Sequence, residues 1–515
     1  MLFLGFLLVG CGSSKNSASD TVDTVTSDTA SSVPVPEEDA VEPGPADPGY
    51  TSSRRAKHVF ALTYDRSVTG DNPLKGFMTS YTWGEPANDF PHRLEFAYIP
   101  LKDLIGGDNQ YTFASGLEPY LEQASARGNH LVVRIYIDYP SLEYGLPDHL
   151  LDLVSCTPYD DHGGGCSPDY SNGHLQAAIV DFIAEFGAQY DGDRRLGFVQ
   201  MGLLGYWGEW HTYPNSEQFA GDLFQQEVIA SFDSAFSQTH VQIRYPVQDT
   251  ANRQIGFHDD SFAYSTIGDI EWFFWPKIVS SGADMNWQDV PIGGEIYPQL
   301  QATIFSDAYV VDEFSQDFAA AVAATHATYM LNYSAFSMNG TGYVDQQYEN
   351  AIQAAMGLGY EFTLETIDLH AFDLDQDGVN VQLYFTIRNT GAAPFYYPLQ
   401  LSIGSGDIVF ELTGVEDLLP SSSSTHSVWI NDLPLSAINE PWHFQLSSPV
   451  LLDDQVIHFA NAQQQSGVLT VSPDFSCLHD ASYVFLGEAI VQQEQTCFCD
   501  VDGQFYEVDG TLCFE

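Results

Sequence analysis

The sequence predicts an α/β chain in which a (β/α)8 barrel is followed by an antiparallel β-sandwich and a small cysteine-rich tail. Three observations lead to this fold. Between residues 57 and 358, eight short apolar runs alternate with amphipathic helical segments. From 359 to 473, apolar and polar residues alternate between turn signals, as in a sandwich. At 515 residues, the chain is also too long for one ordinary domain.

The N-terminal residues predict an exported lipoprotein. Residues 1–11, MLFLGFLLVGC, form an apolar run too short to span a bilayer. The end of the run, LVGC, resembles the lipobox of bacterial lipoproteins, in which the signal is cleaved before a cysteine that then carries lipid. The resemblance implies lipid attachment at Cys11 and, because Gly12 follows, a location at the outer membrane. Residues 12–56, rich in Ser, Thr, Asp and Pro, predict a disordered linker.

The barrel prediction depends on eight candidate strands. They are residues 75–81, 94–101, 130–139, 196–205, 241–246, 254–260, 291–298 and 328–334. Helical patterns lie between them at 115–128, 174–190, 218–236 and 315–327. A doubly wound open sheet is the alternative, but no glycine-rich phosphate loop follows any of these strands.

The charge of the chain excludes two classes of partner. Only 16 lysines and arginines stand against 70 aspartates and glutamates, which gives a net charge of −54. Such a surface repels nucleic acid and anionic membranes, so membrane association is expected only through the lipid anchor. No sequence feature indicates a cofactor or an oligomeric state.

The cysteines other than Cys11 predict disulfide bonds, because an exported chain with an even number of cysteines favours them. Cys156 and Cys166 are expected to pair with each other. The tail, residues 474–515, holds Cys477, Cys497, Cys499 and Cys513, which permit three pairings among themselves. A metal site is disfavoured because Cys497 and Cys499 lack the usual C-x2-C spacing.

Two glutamates occupy the positions where a (β/α)8 barrel carries its functional side chains, the C-terminal ends of the strands. Glu209, in GYWGEWH, follows strand 4, and Glu295, in IGGEIYP, lies on strand 7. A carboxyl shielded by apolar rings has a raised pKa that suits proton transfer. The alternative for Glu209 is a buried ion pair with a nearby arginine.

Other polar and aromatic residues at the same strand ends are interpreted as substrate-binding: Arg134, Trp207, Trp210, His211, Arg244, His258, Asp260, Tyr297 and Asn332. The arginines either keep Glu295 ionised or neutralise buried carboxylates, and the rings either stack on a substrate or pack. Metal binding by His258 and Asp260 is less favoured, because three consecutive strand residues cannot all point one way.

The placement of the two glutamates resembles a clan of retaining glycosidases, which carry an acid/base Glu after strand 4 and a nucleophilic Glu after strand 7. More narrowly, NPLKGF, GYWGEWH, IGFHDD, IGGEIYP and RNTGAAPFYYPLQL are similar to an uncharacterised bacterial family with a glycosidase-like barrel and a β-sandwich. The resemblance covers residues 70–470 and implies that Glu209 is the acid/base and Glu295 the nucleophile. Many clan members have Asn directly before the acid/base, whereas this chain has Gly208.

These observations predict a protein directed at carbohydrate. The leading hypothesis is a surface lipoprotein that hydrolyses a glycosidic bond with retention, using Glu209 and Glu295. A non-catalytic carbohydrate-binding protein on the same barrel is the alternative, motivated by Gly208. A metal-dependent hydrolase built on His258 and Asp260 is the third hypothesis.

Overall fold

The computed structural model describes residues 55–475, apart from 248, 339–341 and 373–377, together with the segments 497–501 and 504–508. The predicted signal, most of the linker, Cys11, Cys477 and Cys513 lie outside the described residues. The side chains of Cys497 and Cys499 are likewise outside them, so the pairing of the four tail cysteines stays a prediction. Within the described part of the chain, no helix is long and apolar enough to cross a membrane.

Eight parallel strands close into a barrel, as predicted. In chain order they are Gly76–Thr79, Leu94–Pro100, His130–Tyr136, Leu196–Gln200, Val241–Ile243, Gly256–Phe262, Ile292–Ile296 and Tyr329–Leu331, called barrel strands 1 to 8 below. Each strand pairs in parallel with the next, and barrel strand 8 pairs with barrel strand 1. This is the strand order of a TIM barrel.

The α-helices of the described chain are Phe113–Gly116, Glu118–Ala126, Gly173–Tyr190, Asp222–Ala235, Phe274–Ser281, Pro298–Gln301, Phe318–Thr325 and Asp345–Gly357. The longest begins at Asn172, whose side chain accepts from two backbone N–H groups, and it buries Leu175, Ile179, Phe182 and Phe186 on one face. All four predicted helical segments contain a helix. The sequence analysis does not identify Asp345–Gly357, because only small residues and one methionine of that helix are buried.

Two antiparallel sheets form the predicted sandwich. One contains Phe362–Phe372, Gly378–Asn389 and Ser423–Pro434, joined by Arg55–Val59, Cys497–Val501 and Gln504–Val508. The other contains Gln400–Ser405, Ile408–Thr413, Trp442–Ser447, Gln464–Gln465 and Val468–Val471. Burial alternates along Trp442–Ser447, as expected for strands with one face in a core. The sequence-based boundary at residue 57 falls within Arg55–Val59, which pairs with Phe362–Phe372.

The sandwich covers the N-terminal end of the barrel. Inside the barrel, Phe198 and Tyr329 belong to the same apolar cluster as the sandwich core. The Tyr397 hydroxyl donates to the Gly197 carbonyl at 2.5 Å, and a ring nitrogen of His130 lies 2.8 Å from the side-chain oxygen of Gln455. Both barrel residues lie at strand beginnings, so the opposite, C-terminal end remains the open mouth.

A buried carboxylate also joins the two parts. Glu361, directly before the sandwich strand Phe362–Phe372, accepts from Arg66 Nε at 2.6 Å, from the Tyr64 hydroxyl at 2.7 Å and from the Thr390 hydroxyl at 2.7 Å. Burial alone would raise the pKa of Glu361, but Arg66 and Lys75 hold it below its usual range. The ionised carboxylate is therefore the form that stabilises this junction.

Glu361→Gln is expected to lower the free energy of unfolding by about 1–3 kcal/mol, because it leaves the Arg66 guanidinium without its anion. Urea-induced unfolding monitored by tryptophan fluorescence measures the change. Glu365→Gln removes the partner of Arg388 from an exposed pair and serves as the matched control, with an expected change below about 0.5 kcal/mol. Equal effects of the two substitutions would contradict a structural role for Glu361.

Candidate active site

Alternate residues of the barrel strands point inward, so polar side chains from several strands meet near the open mouth. The inward residues that carry the site are Tyr98 on barrel strand 2, Arg134 on strand 3, Gln200 on strand 4, His258 and Asp260 on strand 6, and Glu295 on strand 7. Arg244 directly follows strand 5. Because side chains alternate along a strand, His258 and Asp260 point inward whereas Asp259 points the other way, as the sequence predicts.

The guanidinium of Arg134 connects most of these groups. It donates from Nε to Gln200 at 2.7 Å, from Nη1 to the Tyr98 hydroxyl at 2.8 Å and from Nη2 to Asp260 Oδ1 at 2.7 Å. Arg134 Nη1 also lies 3.6 Å from Glu209 Oε1. Arg134 is almost completely buried, so these ionic contacts are poorly screened by water.

A second buried arginine approaches the same aspartate. Arg244 Nε lies 3.3 Å from Asp260 Oδ2, and Arg244 Nη1 lies 3.2 Å from Asp259 Oδ1. Burial would raise the pKa of Asp260, but Arg134, His258 and Arg244 outweigh it and hold the pKa well below its usual range. Arg134 and Arg244 form ion pairs with three carboxylates, those of Asp259, Asp260 and Glu209. The arginines therefore neutralise buried carboxylates, which is one of the two roles considered for them.

Glu209 lies at the mouth with a defined set of neighbours. Its side chain is 17% exposed, and its Oε2 lies 3.2 Å from His211 Nε2. The Tyr213 backbone N–H donates to His211 Nδ1, so in neutral His211 the proton is on Nε2 and is donated to Glu209. Glu209 is therefore a partly shielded carboxylate between a guanidinium and an imidazole donor.

Glu295 has few compensating partners. Its only described hydrogen-bond donor is Gln301 Nε2, 3.1 Å from Oε1. Burial, then repulsion from Asp260 and Glu209, raises the pKa of Glu295 well above its ordinary value, against a smaller opposing effect of Arg134. The preceding residue, Gly294, has φ +148°, and a Cβ there would lie 2.0 Å from the Asp259 carbonyl oxygen. Only glycine allows barrel strand 7 to bring Glu295 this close to strand 6.

The GYWGEWH segment is a compact loop and not an extension of barrel strand 4. The predicted strand 196–205 is too long, since it ends at Gln200 because Gly202 and Leu203 adopt left-handed conformations. Gly208 has φ +69°, and a Cβ there would lie 2.9 Å from the Gly202 Cα. The loop therefore has no room for an asparagine before Glu209.

Aromatic rings form a wall beside the carboxylates. Trp83 stacks on Tyr98 at 6.5 Å between centroids, Tyr98 contacts Tyr139 at 5.3 Å, and Tyr139 contacts Trp207 at 6.5 Å. Burial, with Glu295 and Glu209, raises the pKa of Tyr139 to about 12. Trp83 is 42% exposed and Tyr333 packs edge-on against it at 6.2 Å. The wall offers flat apolar faces beside buried carboxyl groups.

A disulfide-closed hairpin supports the loop that carries Glu209. Strands Cys156–Tyr159 and Gly165–Pro168 pair, and the predicted Cys156–Cys166 bond is confirmed. At its tip, the His162 ring contacts Trp207 at 5.0 Å, and a His162 ring nitrogen lies 2.9 Å from the Tyr213 carbonyl oxygen. The hairpin thus contacts both Trp207 and the chain after His211.

Asp138 fastens this hairpin to the barrel. Its carboxylate accepts from the Tyr159 hydroxyl at 2.5 Å and from the Ser167 hydroxyl at 3.2 Å, and its carbonyl accepts from the Trp207 N–H at 2.9 Å. No cation among the described residues pairs with it. Burial raises the pKa of Asp138 to about 6, although the two hydroxyl donors oppose the shift.

Three predicted substrate-binding residues pack against other parts of the protein. Trp210 is 4% exposed and packs in the barrel core, because its backbone conformation turns the ring away from Glu209. Asn332 is fully buried, and its Oδ1 accepts from the Ala335 N–H and the Tyr343 hydroxyl. Tyr297 is half-buried against Tyr264, with centroids 4.1 Å apart. Trp210 and Asn332 are therefore buried in packed surroundings, and their substrate-binding role stays a prediction.

The contacts of His258 and Asp260 do not favour the metal hypothesis. Their side chains contact each other, with His258 Nδ1 3.1 Å from Asp260 Oδ2, and both contact Arg134. Burial lowers the pKa of His258 to about 4, so the ring is neutral at pH 7. Arg134 donates to Asp260 Oδ1, and Arg244 lies within ion-pair distance of Oδ2, so the charge of Asp260 is already compensated by two guanidinium groups.

The sequence analysis does not identify Tyr98, Gln200 and Asp138 as site residues. Tyr98 and Gln200 lie inside apolar strands, where a single polar group is usually assigned to packing. Strand register could have identified them, because each pairs with Arg134 on a neighbouring strand and shares its inward face. Asp138 lies within the predicted strand 130–139, but nothing in the sequence pattern indicates that the hairpin of Cys156–Tyr159 and Gly165–Pro168 buries it.

Sequence comparison finds no matching protein family and no matching curated protein. Among solved structures, the chain is similar to a GH5-4 broad-specificity endoglucanase from an uncultured bovine rumen ciliate, at 8% identity and a TM-score of 0.31, over 57% of this chain and 99% of that chain. It is also similar to endo-glycoceramidase II from Rhodococcus sp., at 10% identity and a TM-score of 0.33, over 70% of this chain and 97% of that chain. These likenesses carry no argument about activity, and the barrel assignment follows from the strand order itself.

Asp138→Asn is expected to stabilise the protein at pH 8 by an amount on the order of 2 kcal/mol. The folded wild-type protein binds the Asp138 proton more tightly than the unfolded chain does. Protonated Asp138 therefore stabilises the wild-type fold at low pH, and this contribution is lost as pH rises through about 6. Asparagine keeps an acceptor for Tyr159 without the buried charge. Thermal unfolding at pH 4 and pH 8 measures the change, and an advantage that does not grow with pH would contradict the assignment.

Proposed function

We propose that this protein is a glycoside hydrolase that acts with retention, with Glu209 as acid/base and Glu295 as nucleophile. The observation that carries the proposal is the pair of glutamates at barrel strands 4 and 7 in one aromatic-walled cleft, where burial, then repulsion from Asp260 and Glu209, raises the pKa of Glu295. A retaining enzyme needs two carboxyl groups, one to attack the anomeric carbon and one to protonate the leaving oxygen.

The surroundings of Glu209 suit an acid/base. Its side chain is 17% exposed, whereas the Asp260 side chain is 3% exposed, so a leaving group and then a water molecule have access to Glu209. His211 donates to one oxygen and leaves the other facing Arg134 at 3.6 Å. As Glu295 attacks the anomeric carbon, the Glu209 carboxyl gives its proton to the leaving oxygen. Glu209, now a carboxylate, then takes a proton from the water molecule that displaces Glu295 from that carbon.

We further propose that the lipobox at Cys11 anchors the folded part to the outer membrane and that residues 12–56 act as a tether. The resemblance to the uncharacterised barrel-plus-sandwich family belongs to the same proposal. The substrate would then be a glycan, outside or within the envelope, that lies within reach of the tethered cleft.

A non-catalytic glycan-binding protein is the second candidate, and the geometry of Gly208 favours it. The asparagine that binds the sugar 2-hydroxyl in many clan members has no room at this position. In an enzyme another donor must take that role, and His211, bonded to Glu209, is best placed. Glycan binding to the wild-type protein without release of any reducing sugar would favour this second candidate.

Glu209→Gln and Glu295→Gln are each expected to lower kcat on a cleaved glycan by at least about 100-fold, since each removes a proton-transfer or nucleophilic group. Reducing-sugar release from a glycan panel measures the loss, and the anomer first released, observed by NMR, reports retention. Glu217→Gln, at an exposed position beyond the same loop, is the matched control and should keep full activity. Unchanged turnover in both active-site variants would refute the mechanism.

The pH profile provides a separate test. A nucleophilic Glu295 must be ionised, and its raised pKa means that activity is lost as pH falls through a value well above the ordinary 4.5. Gln301→Met removes the donor that favours the ionised form, so it should move this acidic limb of kcat/KM to still higher pH. Full activity down to pH 4.5 would show that Glu295 does not act as an ionised nucleophile.

A further inference from the structure

Lys277 differs from the other basic residues of this acidic chain. Among the lysines and arginines whose side chains the structure describes, all but Lys75 and Lys277 form an ion pair with an aspartate or glutamate. Lys75 is buried and donates to the carbonyls of Met356 and Tyr360. In the same described part of the chain, Lys277 has neither kind of partner, although acidic residues outnumber basic ones more than fourfold.

The position of Lys277 joins it to the catalytic cleft. It lies on the helix Phe274–Ser281, and its Nζ is 3.8 Å from the centroid of the Tyr245 ring. The Arg244 guanidinium is 4.3 Å from the same ring, and Arg244 is ion-paired with Asp260, which Arg134 joins to the Glu209 site. Glu209 also contributes to raising the pKa of Tyr245, although burial is the main cause. Tyr245 therefore lies within electrostatic range of the proposed acid/base.

The Lys277 ammonium lies beside a second cation, Arg244. Burial lowers the pKa of the half-buried Lys277 ammonium, and Arg244 lowers it further, whereas Asp259 opposes them. The oxygens of Asp259 and Asp260 are already engaged by Arg244, Arg134, Thr266 and His258. An anion that entered the cleft beside Tyr245 would relieve this repulsion and supply a partner for Lys277.

We propose that Lys277 binds an anionic substituent, a carboxylate or a sulfate ester, on the glycan that occupies the cleft. The Tyr245 ring positions the Lys277 ammonium, and the ammonium donates to the anion from the rim. The net negative surface does not prevent this contact, because charges are screened beyond ~8 Å at physiological ionic strength. This inference rests on the proposed function and narrows its substrate class to acidic glycans.

Binding is measured in Glu295→Gln, so that no ligand is turned over. Isothermal titration calorimetry with tetragalacturonate, κ-carrageenan tetrasaccharide and cellotetraose compares a carboxylated, a sulfated and a neutral probe. At least one anionic probe is expected to bind at least about tenfold more tightly than cellotetraose, as for a charge-assisted hydrogen bond. The anionic probe that binds more tightly identifies the substituent.

Lys277→Met in the same background is expected to remove this preference while cellotetraose binds as before. Lys277→Arg should retain it, and Lys57→Met, which removes a lysine paired with Asp368 in the sandwich sheet, should leave all three affinities unchanged. A preference for anions that persists in Lys277→Met, or tight binding of cellotetraose alone, would overturn the inference. If the inference is overturned but the wild-type protein cleaves neutral glycans, the proposed function still stands. Binding of no glycan by any variant would contradict both the inference and the proposed function.

Discussion

The buried guanidinium of Arg134 is the interaction on which the site depends. A planar group with five donors can satisfy side chains from several strands at once, and here it joins barrel strands 2, 3, 4 and 6 to the loop that carries Glu209. A lysine would offer three donors without the fixed fork. Because Asp260 is held ionised in this network, it repels Glu295, and the two glutamates acquire different environments within one cleft.

The barrel could be predicted because its strands repeat a simple pattern, whereas parts of the site could not. Strand ends placed Glu295 and Arg244 correctly at the mouth, since register follows from a two-residue period. Backbone turns are less readable: Leu203, Trp207 and Trp210 have positive φ, a conformation that non-glycine residues rarely adopt. For this reason the sequence suggested a longer barrel strand 4 and grouped Trp210 with Glu209, although that ring packs in the core.

The sandwich decides which end of the barrel faces solvent. It shares an apolar core with the barrel interior and forms hydrogen bonds with strand beginnings, so the N-terminal end has no free mouth. The ion-paired Glu361 lies at the same junction, where a charged group without its partners would be costly. Nearly all described lysines and arginines form specific ion pairs. A compact polar site with buried cations is therefore compatible with a large acidic surface.

The disulfide-closed hairpin links the shape of the cleft to the redox state of the surroundings. In the reduced chain, the ten-residue separation between Cys156 and Cys166 would no longer be closed covalently, which removes about 2–3 kcal/mol of entropic support. That support acts on His162 and Tyr159, and through them on Trp207 and Asp138. Protein made in a reducing medium would keep the barrel and the carboxyl pair but hold one wall of the cleft less firmly than protein in which the Cys156–Cys166 bond has formed.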